Sequence, residues 1–267
     1  SKVNPERFFG LAPKGYPGDF IAEYIAQTRT WFYYMHAMGV MLFGKQSFKS
    51  VVTTGNILAS DGTKMSKSKG NYTDPYELMD KWGADPFRFY LMSSVVMQAE
   101  DFNFRDEDVR EVHNRVVGTL WNSFKFFELY KDKLNGTDYS KSEHPLDRWV
   151  ISLLNKTVAE TTGAFEKYDL PSATRPIRAF IDNYSTWYVR RSRDRARGDS
   201  ADAMMCLATQ KHVLLTVAKL LAPITPFIAE SVARGLGEEH SIHLSSWPEG
   251  GTVDEQLLTD MQTIREL

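Results

Sequence analysis

The sequence predicts an α/β domain followed by an all-α domain. Extended runs, turn residues and helix signals alternate up to about residue 107, which is the order of elements expected in an α/β domain. Beyond residue 107 the strand signals nearly vanish, and apolar residues recur at helical spacing along several long segments joined by short connections. That pattern favours a helical bundle. We therefore predict one domain over residues 1–107 and a second over residues 108–267.

The first domain is predicted to begin with a helix, a strand and a loop. Residues 20–43 are rich in apolar and aromatic side chains and are long enough for a buried helix. Residues 49–58 are rich in β-branched side chains and bounded by polar turns, which predicts a strand that Gly55 interrupts or ends. Asp61-Gly62 then predicts a turn.

Helix starts recur through the rest of the chain. Asp74-Pro75 predicts a helix that ends at Gly83, and Asp85-Pro86 predicts the next one, each with Asp as the N-cap. The bundle helices are predicted over residues 109–134, closed by Asn135-Gly136, and then over 145–165, 172–197, 201–221 and 226–236. Residues 240–248 predict a short extended stretch, and Asp254 predicts the start of a terminal helix.

Composition excludes several classes of protein. The chain has 267 residues, and 32 Lys and Arg against 34 Asp and Glu give a net charge of −2, so nucleic acid would have to bind a local patch. The single cysteine, Cys206, excludes a disulfide framework and a multi-cysteine zinc site, and is interpreted as a core residue. No run of about 18 apolar residues and no export signal is visible, so we predict a cytoplasmic protein with no membrane contact.

A lysine-rich loop carries the clearest chemistry. Residues 61–71, called the lysine loop below, hold three lysines, two serines and two glycines between a predicted strand and a predicted helix. Such a loop can bring ammonium groups and backbone N–H donors onto a polyphosphate, where they would balance charge that develops during phosphoryl or nucleotidyl transfer. From composition alone, a solvated basic loop remains the alternative.

The order of residues in this loop resembles a known family. Lys64-Met65-Ser66-Lys67-Ser68 matches, letter for letter, the KMSKS motif of class I aminoacyl-tRNA synthetases. Further segments resemble the isoleucyl branch of that family: residues 20–32, 74–90, 99–104 and 186–195. The related enzymes for valine, leucine and methionine usually lack the Gln-Thr-Arg-x-Trp-Phe context that begins at Gln27. The resemblance implies the C-terminal part of a Rossmann-like catalytic domain with a stem-contact region, followed by a helical-bundle anticodon-binding domain.

The resemblance also assigns roles to residues. It implies that the KMSKS residues bind ATP, with catalytic roles for two lysines, of which the second would stabilise the departing pyrophosphate: Lys64, Met65, Ser66, Lys67 and Ser68. It implies that four residues contact the aminoacyl-adenylate, and that the third of them walls the isoleucine pocket: Glu23, Gln27, Trp31 and Gly55. Because Glu23, Gln27 and Trp31 are spaced by four, we predict that they share a helix face. Without the resemblance, Trp31 would be interpreted as core and Glu23 as solvated.

The chain departs from the family pattern in its pocket and in a missing motif. Tyr24, Ala26 and Thr30 replace the usual glycine, aspartate and glycine, which leaves the detailed geometry of the pocket open. The family also needs an H-x-G-H motif to hold the ATP phosphates, and none of the six histidines lies in one. We therefore expect a fragment that does not activate isoleucine alone. ATP and Mg²⁺ are the implied cofactors, with the ion arriving with its substrate and no protein metal site.

A run of arginines is the local basic patch that RNA would need. Five of them crowd the end of the predicted helix 172–197: Arg190, Arg191, Arg193, Arg195 and Arg197. Capping of the helix dipole is one interpretation. Phosphate contact is the sharper one, with Tyr188 or Trp187 packed beside the guanidinium groups. The family resemblance implies tRNA as the polyanion, and we predict Arg190, Arg191 and Arg193 as tRNA-binding residues.

Two classes of function follow from the sequence. The first is part of an isoleucine-activating ligase, with isoleucine, ATP and tRNA(Ile) as substrates and a monomeric state. The second is a stand-alone tRNA-binding module without catalysis, and a valine-specific relative is a further enzyme alternative because of the pocket changes. An H-x-G-H motif in upstream coding sequence would distinguish the enzyme from the module.

Overall fold

The computed structural model describes residues 15–134 and 136–266, and all of their side chains except that of Lys67. It divides into two compact units. Among the described residues, one unit comprises residues 15–72 together with Ser94–Phe104, and the other comprises Thr73–Ser93 and residues 105–266. Among the described residues, no helix combines the length and the apolar character needed to cross a bilayer.

The first unit is built on a β-α-β arrangement. Strand β1 (Gly18–Tyr24) is followed by a 3₁₀ helix (Ile25–Arg29), helix α1 (Trp31–Phe43) and strand β2 (Phe48–Thr54). The two strands pair in parallel, from Gly18 opposite Phe48 to Tyr24 opposite Thr54. Parallel pairing needs a crossover connection, which α1 supplies, and it brings the carboxyl ends of both strands to one edge.

A second pair of short strands follows that edge. Strand β3 (Ile57–Leu58) pairs in parallel with β4 (Phe102–Asn103), and the connection between them includes the 3₁₀ helix Lys67–Lys69 in the lysine loop. A further 3₁₀ helix, Val95–Gln98, lies just before β4. The lysine loop is therefore anchored at its start by β3.

The second unit is a helical bundle. Its helices are α2 (Pro75–Trp82), α3 (Ala84–Met92), α4 (Asp106–Val112), α5 (Thr119–Glu128), α6 (Pro145–Phe165), α7 (Leu170–Asn183), α8 (Arg190–Arg197), α9 (Ala201–Leu221), α10 (Pro226–Gly235) and α11 (Glu255–Glu266). The π-helical segment His113–Gly118 joins α4 to α5, and Tyr184–Val189 joins α7 to α8. Large side chains fill the core, among them Phe89, Phe124, Phe127, Phe180, Tyr184, Tyr188 and Leu207.

The predicted helix over residues 20–43 is wrong in its first half. Residues 20–24 belong to β1, because their backbone groups pair with β2, and the helix begins only at Trp31. The expectation of burial is also wrong, since in α1 only Phe32 and Gly39 are buried. Apolar content alone does not distinguish a helix from a strand whose partner lies 30 residues further along the chain.

Most other boundaries follow their local signals. The strand over residues 49–58 is broken at Gly55, as predicted, and helices α2, α6, α9 and α10 start at the predicted residues.

Three predictions of element boundaries or types are wrong. The first bundle helix ends at Glu128, before Gly136, and Asn135 lies outside the described residues. Gly83 is the N-cap of α3 in place of Asp85, and residues 240–248 contain the 3₁₀ helix Ile242–Leu244 with no strand.

Candidate functional site

A cleft lies at the carboxyl ends of β1 and β2. Its volume is about 520 Å³. It is lined by the end of β1, the link after β2, strand β3 and the start of the KMSKS motif: Tyr24, Thr54, Gly55, Asn56, Ile57, Leu58, Lys64 and Met65. Ligands of open parallel sheets bind outside the carboxyl ends of the strands, and this cleft has that position. It brings together Gly55, Lys64 and Met65, three residues predicted from the sequence.

Gly55 is required by a close approach of two backbone segments. A Cβ atom at this position would lie 1.8 Å from the carbonyl oxygen of Glu100. The Gly55 amide donates to the Val96 carbonyl oxygen at 2.7 Å, so this donor is already used. Only glycine permits such contact. Gly55 therefore shapes the floor of the cleft and links β2 to the segment before β4.

A tight turn directs the chain into the KMSKS motif. The Ala59 amide donates to the Thr63 carbonyl oxygen at 2.9 Å, and Gly62 turns with φ +79°. Asp61 Oδ1 accepts from the Thr63 amide at 2.9 Å and from the Thr63 hydroxyl at 2.7 Å. The Thr63 hydroxyl and then its amide hold the pKa of Asp61 below its usual value, with Lys69 contributing. The predicted turn is confirmed.

Asn71 holds the motif closed, a role that the sequence did not reveal. Its Oδ1 accepts from the Ser66 amide at 2.9 Å. Its Nδ2 donates to the Thr63 hydroxyl at 3.0 Å and to the Lys64 carbonyl oxygen at 3.2 Å. One carboxamide thus ties down both sides of the loop. The available signal was an asparagine directly after Gly70, which has φ +62° and turns the chain back.

Lys64 and Ser68 of the motif present their side chains to solvent, and Ser66 is half-buried. The Ser66 and Ser68 hydroxyls lie 2.8 Å apart and share a hydrogen bond. Lys64 is exposed, and among the described residues no group accepts a hydrogen bond from its ammonium. The backbone of Lys67 begins the 3₁₀ helix, while its side chain lies outside what the structure describes. The Lys64 ammonium is therefore available to an anion in the cleft.

The predicted face shared by Glu23, Gln27 and Trp31 is wrong. Glu23 lies in β1 opposite Thr53, Gln27 lies in the 3₁₀ helix, and Trp31 is the first residue of α1. The change from strand to helix between them breaks the spacing of four. Gln27 Oε1 accepts from the Trp31 amide at 3.2 Å and from the Thr30 hydroxyl, so it caps α1. None of the three lines the cleft.

Four of the five predicted arginines, all except Arg195, are exposed on α8. Arg190, Arg191 and Arg193, called the arginine patch below, have no carboxylate partner within 4.0 Å among the described residues. Arg191 lies with its Cζ 4.1 Å from the centroid of the Trp187 ring, and Arg193 lies 6.0 Å from the Phe126 ring. The packing of Trp187 beside an arginine is confirmed.

The other two arginines have structural partners. Arg195 donates to both oxygens of buried Asp147, at 2.9 and 3.0 Å, and also to Asp202. Burial alone would lower the pKa of Arg195, but its hydrogen bonds to Asp202 and Asp147 outweigh this and raise it. Tyr188 is fully buried and donates to Asp147 at 2.7 Å, so the expectation that it packs beside exposed guanidinium groups is wrong.

Arg197 pairs with Asp194 at 3.4 Å, and Cys206 is buried, as predicted. Burial raises the pKa of the Cys206 thiol, which keeps it protonated. Among the described residues no three His, Cys, Asp or Glu side chains are grouped as metal ligands. Within α8, all of which the structure describes, the arginines without a carboxylate partner are those of the arginine patch.

Two family models match the chain. The model for class I tRNA synthetases (I, L, M and V) matches residues 9–103, and the model for the anticodon-binding domain of tRNA ligase matches residues 147–267. The first match contains the cleft and the lysine loop, and the second contains the arginine patch.

Curated relatives match almost the whole chain. The isoleucine–tRNA ligase of Deinococcus radiodurans is 40% identical over 263 residues, covering 95% of this chain and 24% of the relative. That of Nocardia farcinica is 40% identical, covering 94% and 24%, and that of Chlamydia trachomatis is 40% identical, covering 94% and 25%. The chain spans about a quarter of the length of these relatives.

Solved structures share the fold. A LeuRS–tRNA–LeuAMS ternary complex from Agrobacterium radiobacter K84 superposes with a TM-score of 0.66 at 19% identity, covering 91% of this chain and 29% of that one. Mycobacterium tuberculosis methionyl-tRNA synthetase in complex with methionyl-adenylate gives a TM-score of 0.64 at 21% identity, covering 82% and 44%.

The family models for class I tRNA synthetases and for the anticodon-binding domain of tRNA ligase together match residues 9–103 and 147–267, and these parts of the chain belong to the class I aminoacyl-tRNA synthetase family. Within that family, the chain is similar along nearly its whole length to a section of the isoleucine–tRNA ligases.

Proposed function

We propose that this chain is the section of an isoleucine–tRNA ligase that supplies the KMSKS loop and the tRNA-docking helical domain. The single observation that carries the proposal is the juxtaposition of Lys64 and Met65 with the carboxyl ends of two parallel strands around one cleft. Isoleucine and ATP are the small substrates, and tRNA(Ile) is the acceptor. The 40% identity to isoleucine–tRNA ligases along nearly the whole chain supports the choice of amino acid.

The proposed reaction has two steps. The isoleucine carboxylate attacks the α-phosphate of ATP, which forms isoleucyl-adenylate and releases pyrophosphate. A terminal ribose hydroxyl of the tRNA then attacks the adenylate carbonyl carbon and AMP leaves. Neither step requires a side-chain nucleophile, so the chain's contribution is to position substrates and to balance charge.

The lysine loop supplies the charge that the first step needs. Negative charge develops on the bridging oxygen as pyrophosphate leaves, and a fixed ammonium beside it lowers the barrier. Lys64 borders the cleft, and we propose that Lys67, the second lysine of the motif, serves the same phosphates. Ser66 and Ser68 add hydroxyl donors. The hydrogen bond from the Ser66 amide to Asn71 holds the backbone that carries them.

Mg²⁺ would accompany ATP as part of the substrate. The Asp61 carboxylate, which lies in the lysine loop, is occupied by the amide and hydroxyl of Thr63, and the described residues offer no cluster of ligands for a resident ion. We therefore propose that the triphosphate oxygens of ATP hold the Mg²⁺ ion, and we propose no metal ion held by the protein.

The residues matched to the adenylate contacts support a narrower proposal. Glu23, at the end of β1, and Trp31, which is 43% exposed at the start of α1, are both open to solvent. We propose that they meet the amino acid and its adenylate in the complete ligase. Gln27 would hold Trp31 in place through its bond to the Trp31 amide.

A test of activity uses this chain with and without the remainder of an isoleucine–tRNA ligase added in trans. We expect no isoleucine-dependent exchange of pyrophosphate into ATP from the chain alone, and measurable aminoacylation of tRNA(Ile) from the mixture. The Lys67→Ala variant should lower the rate of the mixture by about 100-fold or more, the loss expected for one charge-stabilising group. Exchange by the chain alone at the rate of a complete ligase would overturn the expectation of inactivity.

The same mixture separates the alternatives. A stand-alone tRNA-binding module predicts tRNA binding with no aminoacylation, and a valine-specific relative predicts that valine replaces isoleucine as the amino acid that is consumed.

Docking is tested separately by reversing charge at Arg190 and Arg191. We expect weaker binding of tRNA and a smaller dependence of binding on salt, because fewer phosphate contacts release fewer counterions. An unchanged salt slope in filter binding would argue against docking by α8.

A further inference from the structure

Trp187 is held in a fixed position between α8 and the terminal helix α11. It lies in the π-helical segment that joins α7 to α8, and its ring is half-buried. The indole Nε1 points at the Met261 Sδ at 3.3 Å, and Met261 is the buried residue of α11. The ring is therefore fixed from the side of α11 by a contact that uses its only hydrogen-bond donor.

Two arginines from different helices contact this one ring. Arg191 of α8 lies with its Cζ 4.1 Å from the ring centroid, and Arg265 of α11 lies 5.3 Å from it. Arg265 also donates to the neutral Asn183 side chain at 2.5 Å. The two guanidinium groups are thus brought to one aromatic ring, although they stand 74 residues apart in sequence.

The charge of these two arginines is uncompensated. No carboxylate lies within ion-pair distance of Arg191 or Arg265 among the described residues, whereas on the same α8 Arg195 has two carboxylate partners and Arg197 has one. A cation–π contact at an exposed site stabilises by only about 0.5–1 kcal/mol and leaves most guanidinium N–H groups without acceptors. Two like charges held together in this way favour an anion with several oxygens.

We propose that Arg265 joins Arg191 across Trp187 to form a second phosphate-binding point for the tRNA backbone, with Trp187 as its positioning residue. This inference rests on the proposed docking of tRNA by the helical domain, and it extends the docking surface from α8 onto α11. The planar fork of each guanidinium group matches two phosphate oxygens, and a ring that fixes both forks reduces the entropy lost on binding. Phosphate contacts of this kind set register and carry no base specificity.

The test measures binding of an unmodified tRNA(Ile) transcript to the chain at several salt concentrations. Arg265→Gln should lower affinity and reduce the slope of log K against log salt by about 0.7–0.9, the value for one lost phosphate contact. Arg265→Lys should restore most of the slope because it restores the charge. Trp187→Leu should lower affinity with a smaller change in slope, since both charges remain but are no longer held together.

A matched control is Arg148→Gln, which removes an exposed arginine that is paired with Asp254 elsewhere on the same unit. It should leave affinity and slope unchanged. Thermal melting of each variant shows whether α11 stays folded, and the Lys variant keeps the inference testable if the Gln variant loses stability. An unchanged slope for Arg265→Gln, with a flattened slope on charge reversal at Arg190 and Arg191, would overturn this inference and leave docking by α8 intact. Unchanged slopes for both would reject docking as well.

Discussion

Asn71 shows how much geometry one side chain can determine. Its carboxamide oxygen fixes the Ser66 amide, and its nitrogen fixes the Thr63 hydroxyl and the Lys64 carbonyl oxygen. None of the described side chains of the KMSKS motif is fully buried, so these three bonds carry much of the order of the motif. A loop that closes on a polyphosphate benefits from a backbone that is already curved, because less ordering remains for the bound state.

Replacing Asn71 by Ala should loosen the loop. Losing three hydrogen bonds, two of them exposed and one part-buried, at a net value of about 0.5–1 kcal/mol each makes local opening easier, and the Ser66 amide should exchange its proton about 10- to 100-fold faster. Hydrogen exchange followed by NMR measures this directly. The Ala59 amide, which bonds to the Thr63 carbonyl oxygen, is the internal reference for the preceding turn.

The Asn71→Asp variant separates the two ends of the carboxamide. Aspartate can still accept from the Ser66 amide but cannot donate to the Lys64 carbonyl oxygen. We therefore expect protection at Ser66 to be largely retained in this variant and lost in Asn71→Ala. Equal exchange rates at Ser66 in Asn71→Ala and in the original chain would show that the loop is held by other contacts.

At the scale of elements, helix ends are stabilised by residues from distant helices. Helix α10 starts at Pro226, and its own N-cap residue, Thr225, makes no side-chain capping bond. Asp85 of α3 takes that role, accepting from the Ile228 amide at 2.6 Å and from the Phe227 amide at 3.3 Å. Burial raises the pKa of Asp85, and the two amides oppose that rise. The carboxylate thus ties α3 to α10.

Asp85→Ala should cost more stability than the loss of an ordinary cap. It leaves two amides without an acceptor in a buried place, which costs about 1–3 kcal/mol of unfolding free energy. Asp74→Ala is the matched control, because Asp74 caps α2 from an exposed position through one bond to the Tyr76 amide and should cost about 1 kcal/mol. Urea unfolding measures both. A smaller loss for Asp85→Ala than for Asp74→Ala would contradict the capping role.

The limits of prediction from sequence follow from this difference between local and distant partners. The helix starts at Pro75, Pro145 and Ala201 were predictable because a cap lies in the adjacent residues. Strand β1 was not, since its hydrogen bonds go to β2 beyond an intervening helix. The same reason hid the capping role of Asp85, whose partners are 142 and 143 residues away.

The same difference between local and distant partners decides which parts of the candidate site could be predicted from the sequence. The order of residues in the KMSKS motif identified the lysine loop, and the bend that fixes it depends on Asn71, only five residues after Ser66. The spacing of Glu23, Gln27 and Trp31 misled because it assumed one continuous helix. Among the arginines, sequence could not separate Arg195, which is held by buried Asp147 from α6, from its exposed neighbours Arg190 and Arg193.

At the scale of the whole molecule, the two units differ in how they bury apolar side chains. Helix α9 of the bundle buries most of one face and much of its flanks, whereas α1 exposes large apolar side chains around most of its surface, with Met41 76% exposed. Exposed apolar surface of this extent marks an interaction face.

The pH dependence of stability of the whole chain should be governed by His212 in mildly acidic solution. Its ring stacks on Tyr139 with centroids 3.8 Å apart, and burial, then Lys219, lowers its pKa from 6.5 to about 4. The unfolded chain therefore binds the proton first, so the stabilisation is complete above pH 6.5 and is lost as pH falls towards 4, by up to about 3 kcal/mol. Carboxylates with lowered pKa values, such as Asp202, lose their stabilisation only at lower pH.

Urea unfolding between pH 6.5 and 4.5 should show this fall in the free energy of unfolding. His212→Phe should flatten it while keeping the ring stack, and exposed His243→Phe should not; a fall that persists in His212→Phe would assign the proton to another group.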